Sequence, residues 1–499
     1  MSPFESLAEL TPQSPLDDLV FRKLEKLGIQ PANPCSDAAF VRRVFLDVIG
    51  TLPTEREART FLLNESPNKR SVLIDRLLAR HEFADYWAMK WGDLLRVKSE
   101  FPINLWPNAA QAYSRWIHTS IRDNKPYDQF ARELLTANGS NFRDPEANFY
   151  RAVQSKDPTT LARAVALTFM GARAENWPKE RLARMALFFS QVGYKDTEEW
   201  KEEVVFWDSS KAPAITSQTT VFPDGTPARL SPDVDPRETF ADWLVNPKNP
   251  WFTRNIVNRI WYWLLGRGII HEPDDIRPDN PPCNPELLAF LERRLVAFHY
   301  DLKQIYRLIL NSRTYQLSCI PRTSNPQGAV YFAYYPLRRL GAEELADALC
   351  QISGTTESYS SATPEPFTFI PPDHRTITLP DGSLTSSFLD MFGRPARDTG
   401  LESERNNKAT ADQRLHLLNS SHIQRKLNQS WKLQSLMVSR NSPRETLESV
   451  YLTIVSRFPT EAELRIVGAY SQSGIVKWRE TVLDLAWALI NSSEFLYRH

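Results

Sequence analysis

Apolar residues recur every three to four positions through most of the chain, as in Leu19, Phe21, Leu24 and Leu27 or Leu73, Ile74, Leu77 and Leu78. That spacing lines one face of a helix and predicts a mainly α protein. The pattern breaks between 203 and 234, where Val204-Val-Phe-Trp207 and the stretch 211–227 around Pro223-Asp-Gly225 read as short strands. The main boundary is placed there. The expected organisation is a helical domain over 1–202, a linker with short strands over 203–234, and a second helical domain over 235–499, packed closely together. A second irregular stretch, 354–385, carries Thr363-Pro-Glu-Pro366, Pro371-Pro372 and Leu379-Pro-Asp-Gly382. Proline at this density prevents long helices, so the region reads as an ordered loop or small β insertion over the helical body.

An internal echo links the two ends. Phe45-Leu-Asp-Val-Ile-Gly-Thr-Leu-Pro-Thr-Glu-Arg-Glu57 matches Tyr451-Leu-Thr-Ile-Val-Ser-Arg-Phe-Pro-Thr-Glu-Ala-Glu463 at one constant offset. Both predict a helix, a turn and a second helix, with Thr54 and Thr460 as caps and Glu57 and Glu463 completing capping boxes.

Lys+Arg and Asp+Glu both total 60, so no net field favours nucleic acid. No apolar run approaches the ~18–20 residues that cross a bilayer, and the first residues lack the basic and apolar regions of a signal peptide. A soluble chain that does not span a membrane is expected. Cys35, Cys283, Cys319 and Cys350 are far apart, and neither they nor the eight histidines show zinc or haem spacing. No metal and no cofactor is therefore expected. G-x-S-x-G, P-loop and G-x-G-x-x-G motifs are absent, which removes the serine-hydrolase, nucleotide-binding and Rossmann readings.

The segment Trp251–Ile270 places Arg254, Asn255, Asn258 and Arg259 among Trp251, Trp261, Tyr262 and Trp263. Polar groups inside an aromatic helix need partners or cost several kcal/mol. The segment is thus either an internal polar network or the wall of a site. A second block, Phe388–Arg405, supplies Arg394, Arg397, Glu402, Glu404 and Arg405. Planar guanidinium groups recognise carboxylate, phosphate or sulfate in pairs of hydrogen bonds, so Arg259, Arg394 and Arg397 are candidates for one anion site. Trp87, Trp91, Asp93 and Arg96 share one helical stretch and suit either core packing or a sugar-binding groove. Asp47 follows Arg43 by four residues, which fits a helix ion pair or a carboxylate facing a cleft. For an enzyme, Asp47, Asp93 and Glu404 are the catalytic candidates, with Glu404 paired to either aspartate.

These blocks resemble the paired DUF1549 and DUF1553 domains, a family associated with planctomycete cytochromes. The first domain matches through Arg42–Thr54, Trp87–Arg96 and Pro126–Phe130. The second matches through Asn255–Trp261 with Gly266-Arg-Gly268, Thr314-Tyr315, Phe392–Arg397, Glu404-Arg405 and Asn491–Phe495. The first domain of the family commonly carries C-x-x-C-H. Here the corresponding place reads Phe169-Met-Gly-Ala-Arg-Ala-Glu-Asn-Trp177, and the motif is missing. The resemblance implies export to the periplasm or cell envelope, and the missing motif argues against electron transfer. The expected function is a non-redox binding or scaffold protein with an Arg/Trp-lined interdomain cleft for an anionic or carbohydrate partner, or for another protein. The competing expectation is a hydrolase acting on a carbohydrate or ester through paired carboxylates. A third, weaker expectation is a protein that binds a cofactor non-covalently.

Overall fold

The computed structural model describes residues 3–214, 220–370, 372–438, 442–473 and 476–499. Among these the chain forms 22 α-helices, while its strands run only two to five residues, so the expected α class holds. The strands form a three-stranded antiparallel sheet of Gly139–Ser140, Glu203–Trp207 and Val192–Asp196, a hairpin of Thr220–Val221 with Pro227–Ala228, and a pair joining Arg338–Arg339 to Tyr497–Arg498. The hairpin turns at Pro223-Asp-Gly225, where Asp224 Oδ1 accepts from the Thr226 N–H and hydroxyl. Residues 215–219 of the expected β segment lie outside the described residues.

The echoed motifs fold alike because each carries its own start and stop signals. Helix Asp37–Ile49 ends at Gly50 with φ 65°, and Thr54 and Glu57 then form a capping box that starts helix Glu55–Leu63. Helix Pro443–Val455 ends at Ser456 with φ 62°, and Thr460 and Glu463 start Glu461–Gln472 in the same way. Both stops use the left-handed conformation that glycine adopts at low cost. Gly50 is further required by space, since a Cβ there would stand 2.3 Å from the Tyr86 ring.

The apolar interior has two parts. The larger gathers side chains from Leu16 to Tyr335 with Ile377, and the smaller gathers Leu340 to Phe495 with Leu46 and Leu52. The helices from 236 to 310 therefore share a core with the N-terminal helices, and the segment 203–234 does not separate the two cores. Helix Asp37–Ile49 bridges them. Its buried Arg42 donates to the carbonyls of Ile454 at 2.9 Å and Phe495 at 2.6 Å, while Arg43 donates to those of Tyr315 at 2.6 Å and His499 at 2.9 Å. The Pro-rich region 354–385 lies over helices Ala342–Ser353 and His81–Leu94. Asp347 accepts from the N–H groups of Thr376 and Ile377, and Asp381 accepts from that of Ser99.

Candidate functional site

Two openings carry the chemistry: a wide groove and a smaller inner cavity. The groove, about 600 Å³, lies between Arg173–Arg181 and the segment Pro250–Pro282. Local sequence builds both walls. Asn249 accepts from the N–H groups of Trp251 and Phe252, which starts helix Phe252–Leu265 with Trp251 at its mouth. Gly266, at φ 71°, ends that helix, and Asn258 then holds Ile270 through both its N–H, 2.9 Å, and its carbonyl, 3.1 Å. The returning segment docks on the other wall, where the Ile276 N–H donates to the Gly171 carbonyl at 2.8 Å.

Arg181, from helix Lys179–Leu187, lines the groove. Its guanidinium carbon is 4.1 Å from the centroid of the Trp177 ring and 5.5 Å from that of Trp251. Its Nε donates to the Pro223 carbonyl at 2.9 Å. Among the described residues its two terminal nitrogens make no hydrogen bond and no carboxylate lies within salt-bridge distance. Burial lowers the Arg181 pKa, with Asp224 opposing. The neighbouring cations are partly committed: Arg254 Nε donates to Glu292 at 2.8 Å, Arg173 pairs with Glu272 at 3.3 Å, and Arg277 pairs with Asp275 and Asp279. An indole-walled groove with an uncommitted planar cation can stack an apolar ring face and grip an anion with two parallel hydrogen bonds.

The inner cavity, about 240 Å³, lies between helix His81–Leu94, helix Phe252–Leu265 and the loop at Glu402–Arg405. Trp87 and Trp263 stand 5.2 Å apart in its wall. Lys90 projects into it with no hydrogen bond among the described residues, its Nζ 3.9 Å from Glu344 Oε1. Burial and the Arg405 charge lower the Lys90 pKa against Glu344, Glu402 and Asp93. Glu402 moves the other way. Burial raises its pKa while Lys90 and Arg259 oppose, and its Oε2 accepts from the Trp263 indole at 3.0 Å.

Two stretches match family models: residues 15–184 match PSCyt2, a protein of unknown function (DUF1549), and residues 236–471 match PSD1, a protein of unknown function (DUF1553). The chain belongs to this paired DUF1549/DUF1553 family. No curated protein and no solved structure matches it. The DUF1549 part supplies Trp177 and Arg181, the DUF1553 part Trp251 and Arg254, so the groove lies where the paired domains meet. Phe169–Trp177, where the resemblance locates the missing C-x-x-C-H, runs into this groove. Gly171 has φ 60° there, and a Cβ on it would stand 2.6 Å from Asn255 Oδ1 and 2.7 Å from the Pro273 carbonyl. The four cysteines are all free.

The sequence-derived candidates divide among several places in the DUF1549/DUF1553 chain. The three arginines expected to line one anion site are each already paired with a carboxylate, Arg394 and Arg397 within one network that Arg405 closes between Glu343 and Asp93. Arg259 pairs with Asp274 at 2.7 Å, Arg394 with Glu343 at 3.6 Å, and Arg397 with Asp93 at 2.8 Å. Asp47 is saturated, accepting from Tyr315, Tyr335, Arg338 and Arg498 at 2.8–2.9 Å. Glu404 Oε1 pins the loop by accepting from the Thr399 N–H and hydroxyl, both at 2.7 Å. Asp93 accepts from Arg397 and from Arg405, which also grips Glu343. None of the three expected catalytic carboxylates lines the groove or the inner cavity.

Trp87 and Trp91 are buried, the Trp87 indole donating to the Val48 carbonyl at 3.1 Å, which is the core-packing arrangement. Trp261 is buried edge-on to Phe332, with ring centroids 5.0 Å apart, and Asn255 donates to the Thr168 carbonyl at 2.9 Å. Arg254 lines the groove and Arg405 lines the inner cavity. Arg181, Trp177, Lys90 and Glu402 were missed as site residues. Trp177 and Arg181 flank Pro178 four residues apart, a weak local signal; Lys90 and Glu402 line one cavity from positions 312 residues apart and leave none.

Proposed function

We propose that this chain is a non-redox binding protein of the cell envelope whose Arg/Trp groove takes an anionic carbohydrate. The observation that carries the reading is the Arg181 guanidinium, held between Trp177 and Trp251 with its terminal nitrogens uncommitted among the described residues. Indole faces and the prolines at 178, 250, 281 and 282 give apolar walls suited to sugar rings, and Arg181 with Arg254 supplies the fork for a carboxylate or sulfate. The envelope location rests on the family, and the absence of C-x-x-C-H supports a role without covalently attached haem. No helix among the described residues is long and apolar enough to cross a membrane.

The test is isothermal titration of the full chain with uronic-acid and sulfated oligosaccharides and their neutral counterparts. Arg181→Met should weaken binding about 10- to 100-fold, the worth of one charge-assisted contact of ~1.5–3 kcal/mol, and lower the melting temperature by no more than about 2 °C, the share of its Pro223 hydrogen bond and indole stacking. Equal binding of neutral sugars would overturn the role of charge, and failure of every anionic sugar would redirect the groove to a protein partner.

The inner cavity supports a second reading, a hydrolase for a carbohydrate or ester. There burial shifts Glu402 up and Lys90 down, so both lean toward their neutral forms in one cavity, the direction in which a carboxylic acid and an amine are tuned for acid–base work. Hydrolysis of chromogenic glycosides or esters that Glu402→Gln abolishes and Arg181→Met leaves unchanged would favour it.

A further inference from the structure

We propose that His81, Asp85 and His118 form a binding site for a single divalent metal ion of the zinc class. His81 and Asp85 lie one turn apart on helix His81–Leu94, and His118 faces them from helix Pro107–Arg122. Both imidazoles aim at one carboxylate oxygen: His118 Nε2 is 3.0 Å and His81 Nε2 3.4 Å from Asp85 Oδ1. All three donor atoms fall within 4.8 Å of one another. Ligands about 2.0–2.1 Å from a tetrahedral ion stand roughly 3.3–3.5 Å apart, so both distances to Asp85 Oδ1 are close to what an ion requires and the two imidazoles must close by no more than about 1.5 Å. The His81 ring is 66% exposed and free to make the adjustment.

The donor set identifies the class of ion. Two neutral imidazoles and one carboxylate suit zinc and its borderline neighbours, whereas magnesium and calcium demand oxygen shells. Arg375 stands 3.9 Å from the other oxygen, Asp85 Oδ2, which orients the carboxylate and leaves Oδ1 turned to the histidines. With three protein ligands the ion would keep an open position. Asp85 and His118 line a cavity of about 250 Å³ that Gln111, Ser114 and His374 also border, so a water or small ligand could reach it. Asp85 and Lys90 are separated by roughly 140° around the helix, so this site and the inner cavity lie on different faces of one element. The sequence concealed the triad because His118 comes 33 residues after Asp85, far outside any zinc spacing motif.

The test is titration of the EDTA-treated full chain with Co²⁺, read by the visible absorption of a four-coordinate cobalt ion and by displacement with Zn²⁺. One Co²⁺ per chain, bound at micromolar concentration and displaced by equimolar Zn²⁺, is expected. His81→Gln and His118→Gln should each remove the band with the circular dichroism unchanged. A wild-type chain that shows no band would overturn the site. So would a band that survives both substitutions, or one lost only in His416→Gln, whose Nε2 stands 3.2 Å from His422 Nδ1 near Glu357.

Discussion

Replacing Arg405 by methionine should destabilise the fold by about 3–5 kcal/mol, because it removes the partner shared by two buried carboxylates and strands one of them. Arg405 donates to Glu343 Oε2 at 2.5 Å, Glu343 Oε1 at 3.0 Å and Asp93 Oδ2 at 2.7 Å. Without it Asp93 keeps Arg397, whereas Glu343, fully buried, is left with Arg394 at 3.6 Å. The arginine holds Asp93 ionised: burial acts to raise that pKa, but Arg405, Arg397 and Lys90 together bring it below the usual carboxylate value. With an unfolding entropy of about 2.1 cal/mol/K per residue, a chain of 499 residues melting in one transition loses roughly 1 °C per kcal/mol, so calorimetry should show a fall of about 3–5 °C. Removing the stranded charge as well, in Arg405→Met with Glu343→Leu, should recover at least half of that loss. A single variant that melts within 1 °C of wild type, or a double variant no better than the single, would refute the argument.

Gly50→Ala should cost about 2–4 kcal/mol, since the new methyl group meets Tyr86 at 2.3 Å from a backbone at φ 65°, and thermal melting should show it directly. At the equivalent helix stop, Ser456→Gly should instead stabilise by about 1 kcal/mol by relieving a left-handed non-glycine residue at φ 62°. Asp347, raised from 3.8 to about 6 by burial against the opposing pull of Arg375 and two backbone N–H groups, contributes stability that is complete below pH 3.8 and lost as pH rises through 6. The melting temperature of wild type relative to Asp347→Asn should therefore fall between pH 4 and 7, by an amount equivalent to about 3 kcal/mol. A flat difference across that range would contradict the assignment.

The parts of this molecule legible in its sequence are those whose causes are local. Helical periodicity gave the class of fold, and the paired capping boxes at Thr54 and Thr460 mark their helix starts within three residues. The inward polar face of Asn255, Asn258 and Arg259 followed from their spacing, although not their partners, which are the Thr168 carbonyl, Ile270 and Asp274. Asp93 and Arg405 were each singled out, but nothing in a linear chain says that residues 312 apart share a hydrogen bond. The sorting of arginines was hidden as well, because pairing is decided by neighbours in space, whether 15 residues away, as Asp274 is from Arg259, or 304, as Asp93 is from Arg397. Arg259, Arg394 and Arg397 are consumed by carboxylates, whereas Arg181, which no motif distinguishes, keeps its terminal donors uncommitted among the described residues, its ring neighbours being the Trp177 and Trp251 indoles.

The most direct test of the anionic-carbohydrate reading is a crystal structure of the chain soaked with a glucuronic-acid disaccharide. The account requires the carboxylate within about 3 Å of the Arg181 terminal nitrogens and a sugar ring against Trp177 or Trp251. A disaccharide seated at Lys90 in the inner cavity, or an empty groove at saturating ligand, would contradict it.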